Sequence, residues 1–240
     1  MGGKQVVTLD LSQKPVYPNS LYDAAQGLGF TSQRSRDRLV QRLMANPQLD
    51  VEVLNAIRVT PRHLFMDEAL ANRAYEDSSL PIGYGQTISQ PGTVALMTSW
   101  VRQGTRPLNR VLDVGTGSGY QASILSLVAK QVYSVERIAA LSLRAQHCLD
   151  QLGVRNIRFS LTDGHWGWTT FAPYDAIVCA AAPSDIPDAL IEQLAEGGRL
   201  VLPVGEQQQM LTGVEKTATG IKQYALGEAV FVPLLKGVAE

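Results

Sequence analysis

The chain is expected to fold as an α/β protein on a doubly wound, mostly parallel sheet, with short helices before it and antiparallel strands after it. Three observations point there. Between residues 110 and 202, short β-like apolar runs alternate with helical stretches. A glycine-rich turn follows the first of these runs, and the 240 residues are 45% hydrophobic and 18% charged, which suits one packed core.

Residues 1–33 mix Pro15, Pro18, Gly27 and Gly29 with scattered apolar positions and read as an irregular N-terminal arm; residues 34–240 read as a single domain. Leu39, Val40, Leu43 and Met44 have helical spacing up to Asn46-Pro47, as do Val53, Leu54 and Ile57 up to Thr60-Pro61. The stretch Leu80 to Pro91 reads as an ordered loop between these helices and the sheet. Strands are expected at 110–113, 131–135, 157–160, 175–178 and 199–202, and helices at 121–129, 139–152 and 187–194. Gly153 and Gly197 stand where helix ends favour a left-handed residue. Antiparallel strands are expected between Leu211 and Leu235, turning near Thr217 to Gly220.

Composition excludes several functions. With 21 Lys plus Arg against 22 Asp plus Glu, the net charge of −1 provides no footprint for many phosphates, so nucleic acid is not an expected partner. Cys148 and Cys179 have neither disulfide-framework nor zinc-site spacing, and no metal is expected. The uncharged run Ser78 to Val101 is broken by Pro81, Gly83, Gly85, Pro91 and Gly92, so no membrane span is expected. Val6, Val7, Leu9 and Leu11 are too interrupted for a signal-peptide core, and Met1-Gly2-Gly3 lacks the Ser or Thr at position 6 that myristoylation favours. A cytoplasmic protein is the expectation, with a monomer slightly favoured.

The chemistry concentrates in Val111 to Tyr120, where a strand enters the turn Gly115-Thr116-Gly117-Ser118-Gly119 and then a helix. Glycines let a ligand approach the backbone, and N–H groups at a helix start can receive an anionic group. Acids end three successive strands: Asp113, Glu136 and Asp163. Glu136 lies 21 residues past Gly115, close to the spacing of about 20 at which an acid accepts from a ribose hydroxyl. The spacing Gly115-x-Gly117-x-Gly119 is one residue tighter than the dinucleotide fingerprint, which disfavours a pyrophosphate, although a nicotinamide-dependent oxidoreductase stays an alternative. There is no Gly-Lys-Ser or Gly-Lys-Thr and no G-x-S-x-G elbow, so a P-loop nucleotidase and a serine hydrolase are set aside.

These residues resemble motif I of the class I S-adenosylmethionine-dependent methyltransferases. Beyond it, from about Thr31 to Gly237, the chain is similar to the protein-L-isoaspartate O-methyltransferase family. The similarity is carried by Thr60 to Phe65, Leu80 to Gly83, Gln86 to Pro91, Val111 to Tyr120, Ser134 to Arg137, Leu202 to Gly205 and Phe231 to Leu234. The stretch Thr87-Ile88-Ser89-Gln90-Pro91 is the specific part, since many methyltransferases share the glycine turn. The resemblance implies a Rossmann-like fold and methyl transfer from S-adenosylmethionine to the α-carboxyl of L-isoaspartyl residues in damaged proteins and peptides, giving S-adenosylhomocysteine.

It also implies site residues. Ser89 would be catalytic. Gln86, Thr87, Ile88, Asp113, Gly115, Gly117, Gly119, Glu136, Arg137, Asp163 and Gly164 would bind the cofactor, and Ser89, Val204, Gly205 and Leu235 the peptide. The chain departs from the family pattern at Thr162, usually Gly, and at Gly92, usually bulky. A class I methyltransferase with another acceptor is an alternative, although Ala180-Ala181-Ala182-Pro183 lacks the Asn/Asp-Pro-Pro-Tyr sequence of amino-methylating relatives. A noncatalytic module using the same pocket is a further one, which a turnover assay would separate.

Overall fold

A computed structural model describes residues 9–104 and 107–239. The chain opens with α1 (Ser20–Ala24), α2 (Gln33–Leu43) and α3 (Val51–Val59), crosses strands β1 (Leu80–Gly83) and β2 (Gln86–Ile88), and enters α4 (Pro91–Arg102). The sheet region follows as β3 (Arg110–Val114), α5 (Tyr120–Val128), β4 (Gln131–Glu136), α6 (Ala139–Gln151), β5 (Ile157–Leu161) and β6 (Tyr174–Cys179). It ends with α7 (Asp188–Glu192), β7 (Leu194–Val204), β8 (Gln209–Thr217) and β9 (Gly220–Ala229).

Seven strands form one sheet in the order β5-β4-β3-β6-β7-β8-β9. The first five are parallel, and β8 and β9 continue antiparallel. The chain therefore builds outward from β3 through β4 to β5, then returns to lay β6 on the other side of β3. That reversal opens a crevice at the carboxyl ends of β3, β4 and β6.

Strand alternation loads both faces of the sheet. Val111, Val132, Ala176, Val178 and Val201 pack with Met97 and Val101 of α4 and Leu125 of α5. Leu112, Val114, Tyr133, Val135 and Ile177 point the other way, against Leu190 and partly buried Trp168 and Phe171. A third cluster joins α2, α3 and α5 and includes Tyr22 of α1. Residues of the arm are tied down there: the Tyr22 hydroxyl lies 3.1 Å from Ser123 Oγ, Asn19 Nδ2 donates to Leu152 O, and buried Arg58 donates to the carbonyls of Asp10, Leu11 and Gln13.

The structure corrects three local expectations. The loop expected from Leu80 is a hairpin whose two-residue turn, Tyr84-Gly85, has φ of 55° and 67°, the left-handed pair that a tight hairpin turn requires. Helix α4 is hidden from the sequence because polar Thr98 and Ser99 are buried while apolar Leu96 and Trp100 stand on its less-buried side, so residue type does not mark the face. Gly197 does not end a helix. It lies within β7, in a bulge where Tyr174 pairs with Leu194 and Ala176 with Arg199.

Candidate active site

The crevice holds a cavity at the carboxyl ends of the strands, where doubly wound sheets take their ligands. Its floor comes from the ends of β3 and β4, with Val114, Gly115, Gly117, Val135, Glu136, Arg137 and Ile138. One wall is the end of the hairpin, Gln86, Thr87, Ile88 and Ser89; another is Gly164, and a third is Ala180 and Ala181 after β6. Residues Val232, Pro233, Leu234 and Leu235 cross over the top. This C-terminal strap is pinned by Ala182 N to Val232 O and Leu234 N to Ala182 O, both 2.8 Å, and by Ala239 N to Arg137 O at 2.7 Å.

Glu136 is the acid that faces the cavity. Its Oε2 accepts from Gly117 N at 2.8 Å, and its Oε1 from the N–H groups of Arg137 and Ile138 at 2.8 and 2.9 Å. A carboxylate accepts about four hydrogen bonds, so Oε2 keeps one direction for a ligand hydroxyl. The other two acids have different work. Asp113 is fully buried; its Oδ2 accepts from Ser134 Oγ at 2.7 Å, and burial pushes its carboxyl up to about 7. Asp163 caps the turn of Gly164–Trp166 through His165 N, and its Oδ2 accepts from Gly237 N in the strap at 2.8 Å. Burial alone would raise its pKa, but the N–H groups of Gly237 and His165 outweigh it and hold the carboxyl below its ordinary value.

Gly119, Val204 and Gly205 also lie off the cavity wall. Gly119 (φ +87°) caps α5, and a Cβ there would come within 3.0 Å of the Ala145 side chain, so its role is close packing of α5 on α6. Val204 packs beneath the sheet, and Gly205 makes the tight turn after β7, where a Cβ would meet Gln208 O at 2.1 Å.

Most N–H groups of the glycine turn are already engaged within the protein. Gly115 and Thr116 donate to Val135 O, Gly117 to Glu136, Gly119 to Thr116 O and Tyr120 to Ser118 Oγ. The cavity wall has one cationic side chain among the described residues, Arg137, and its Nε donates to Gly237 O. A polyphosphate would find only that single counter-charge there. A nucleoside with hydroxyls for Glu136 and apolar surface for Ile138 and Leu234 fits. Val94, Thr116, Ser118, Tyr120, Gln121, Ala180 and Ala181 complete the lining, and the sequence reading gave none of them an individual role.

A second, more open cleft of about 1650 Å³ lies alongside, between the α2–α3 connection, the start of α4 and the end of β9. Thr87, Ser89, Ala180 and Val232 line both spaces. Ser89 therefore stands in the partition between the cavity over the glycine turn and the larger cleft beside it.

A family model for protein-L-isoaspartate(D-aspartate) O-methyltransferase matches residues 34–239. The chain belongs to that family. A protein-L-isoaspartate O-methyltransferase of Stenotrophomonas maltophilia is 54% identical over 222 residues, 92% of this chain and 97% of that one. A solved structure named protein-L-isoaspartate O-methyltransferase is similar with TM-score 0.74 at 28% identity, over 82% of this chain and 65% of that one. A Plasmodium falciparum structure described as a putative protein-L-isoaspartate O-methyltransferase in complex with S-adenosyl-L-homocysteine matches with TM-score 0.73 at 25% identity, over 83% and 97% of the two chains. Among the described residues, no helix is long and apolar enough to cross a membrane, and no group of three or more His, Cys, Asp or Glu could hold a metal ion.

Proposed function

We propose that the chain transfers a methyl group from S-adenosylmethionine to the α-carboxyl of L-isoaspartyl residues in damaged proteins and peptides, with Ser89 orienting the carboxylate. Family membership supports the reaction and the cofactor. The observation that carries the assignment of Ser89 is its position in the wall shared by the two cavities.

When bound, S-adenosylmethionine supplies a methyl carbon on a sulfonium, which a carboxylate oxygen can attack to leave a neutral thioether. Glu136 would hold ribose hydroxyls, and Gln86, Thr87, Ile88, Gly115, Gly117, Arg137 and Gly164 would line the nucleoside. A side-chain or terminal carboxyl with a pKa of about 4 is ionised at pH 7, so the protein needs no general base. His63 does not line the cavity and is no effective base: it is half-buried, bonded to the Tyr75 hydroxyl at 2.8 Å, and pulled down to about 4 by burial and Arg36. What the residues supply is alignment and exclusion of water. The Ser89 hydroxyl has no hydrogen-bond partner among the described residues and is free to donate to a carboxylate from the cleft, while Leu235 and the strap cover the nucleoside side.

The experiment pairs labelled S-adenosylmethionine with two peptides that differ only in an isoaspartyl or a normal aspartyl linkage. Base-labile methyl ester is expected on the isoaspartyl peptide alone; label on both, or on neither, would overturn the acceptor. Loss of a hydrogen bond to a charged group costs about 1.5–3 kcal/mol, so Ser89→Ala should lower kcat roughly 10- to 100-fold without weakening cofactor binding. Unchanged kcat would remove Ser89 from the reaction.

A further inference from the structure

Ser89 sits at the foot of the β1–β2 hairpin, and two contacts from outside the hairpin fix that foot. The first comes from Arg62, which is fully buried. Its Nη1 donates to Ala74 O at 2.6 Å, and its Nη2 to Ser78 O at 3.0 Å and Ser89 O at 3.1 Å. One planar guanidinium thus ties the chain entering the hairpin to the chain leaving it. The second contact comes from Asp77, whose Oδ1 accepts from Gly92 N at 2.6 Å.

The second contact answers a local need. Helix α4 begins at Pro91, which has no N–H, and Gln90 at the cap position makes no side-chain cap bond. Gly92 therefore offers the first free donor of the helix, and a carboxylate there gains both a hydrogen bond and the favourable end of the helix dipole. Glycine permits this close approach: a Cβ at position 92 would lie 2.8 Å from Asp77 Oδ2 and 3.0 Å from Oδ1, so the carboxylate would have to move aside. Arg62 anchors Ser89 itself and Asp77 anchors the residue three positions on, so the serine is held from both sides.

We propose that Asp77, latched onto Gly92, is a positioning residue that keeps Ser89 in the partition between the two cavities. The proposal rests on the role given to Ser89 above. Asp77 also lines the open cleft, so the test must separate an action on Ser89 from an action of its charge on the peptide.

Asp77→Ala, Asp77→Asn and Gly92→Ala are made in the full chain. Each is measured for kcat and KM on the isoaspartyl peptide, for S-adenosylhomocysteine affinity by calorimetry, and for amide hydrogen exchange over residues 86–94. Asp77→Ala is expected to lower kcat by at least about fivefold, with peptide KM and ligand affinity within about twofold, and to speed exchange across that segment. Gly92→Ala, which displaces the carboxylate, should match it, and the double variant should be no worse than either single one. Asp77→Asn keeps an oxygen acceptor without the charge and should restore both kcat and slow exchange. Unchanged exchange in Asp77→Ala overturns the latch. An Asp77→Asn variant as slow as Asp77→Ala assigns the effect to charge in the cleft and overturns it too. If the unaltered protein esterifies no isoaspartyl peptide, the proposed acceptor fails, while the exchange comparison still decides the latch.

Discussion

Asp113, Glu136 and Asp163 begin as equivalent acids at the ends of neighbouring strands and finish in three different environments. The difference lies in how deep each side chain stands and what meets it there. Asp113 pairs with Ser134 inside the sheet and is enclosed against its hydroxyl, whereas Glu136, two residues past Ser134 on the same face, stands at the open end of β4. Position in the sequence indicates an acid near the ligand in all three cases; depth separates Asp113 from Glu136, and the bond to Gly237 N turns Asp163 to the strap. Burial of Asp113 has a measurable result. Its carboxyl is raised to about 7, by desolvation first and by Glu136 second, against the lowering contact from Ser134. Between the ordinary carboxylate value near pH 4 and pH 7, the unfolded chain releases a proton that the folded chain retains, so this group makes stability fall as pH rises. Asp113→Asn removes that slope. Urea unfolding at pH 4.5 and pH 7 should show the variant gaining on the unaltered protein toward pH 7, by up to roughly 3 kcal/mol; a constant difference would place Asp113 in an ionised state throughout.

Among the elements, the parallel strands are readable from the sequence as short apolar runs bounded by turn residues, and α5 and α6 as the helical stretches that alternate with them. Those that escaped did so for physical reasons. Helix α4 buries polar Thr98 and Ser99 and leaves apolar Leu96 and Trp100 partly exposed, so its residue types do not mark its buried side, and the hairpin hides in a segment dense with Gly and Pro. The five-residue α1 is too short to announce itself, yet its Tyr22 is only 1% exposed and reaches Ser123 on α5. Tyr22→Ala should therefore cost about 3–5 kcal/mol in chemical denaturation, and Tyr22→Phe about 1 kcal/mol from the lost hydrogen bond. A Tyr22→Ala cost under about 1 kcal/mol would mean that α1 contributes little to the packing.

The site as an assembly draws on distant parts of the chain: the hairpin near residue 87, the ends of β3 and β4, the segment after β6, and the strap at 232–235. Such a site exists only when the sheet is complete, so a ligand that fills it must stabilise the fold in proportion to its occupancy. S-adenosylhomocysteine at 100 times its Kd should add about 2.7 kcal/mol, which for a chain of this size raises Tm by roughly 5–11 °C. A melting temperature that does not move at that concentration would show that the cavity does not take this ligand.

The partition formed by Thr87, Ser89, Ala180 and Val232 carries a kinetic consequence. On the proposed reaction the two ligands would occupy separate rooms that meet at a window, so both could be present at once and the group would pass directly between them without being parked on the protein. Double-reciprocal plots then intersect instead of running parallel, and an inhibitor lodged in one room competes only with the ligand of that room.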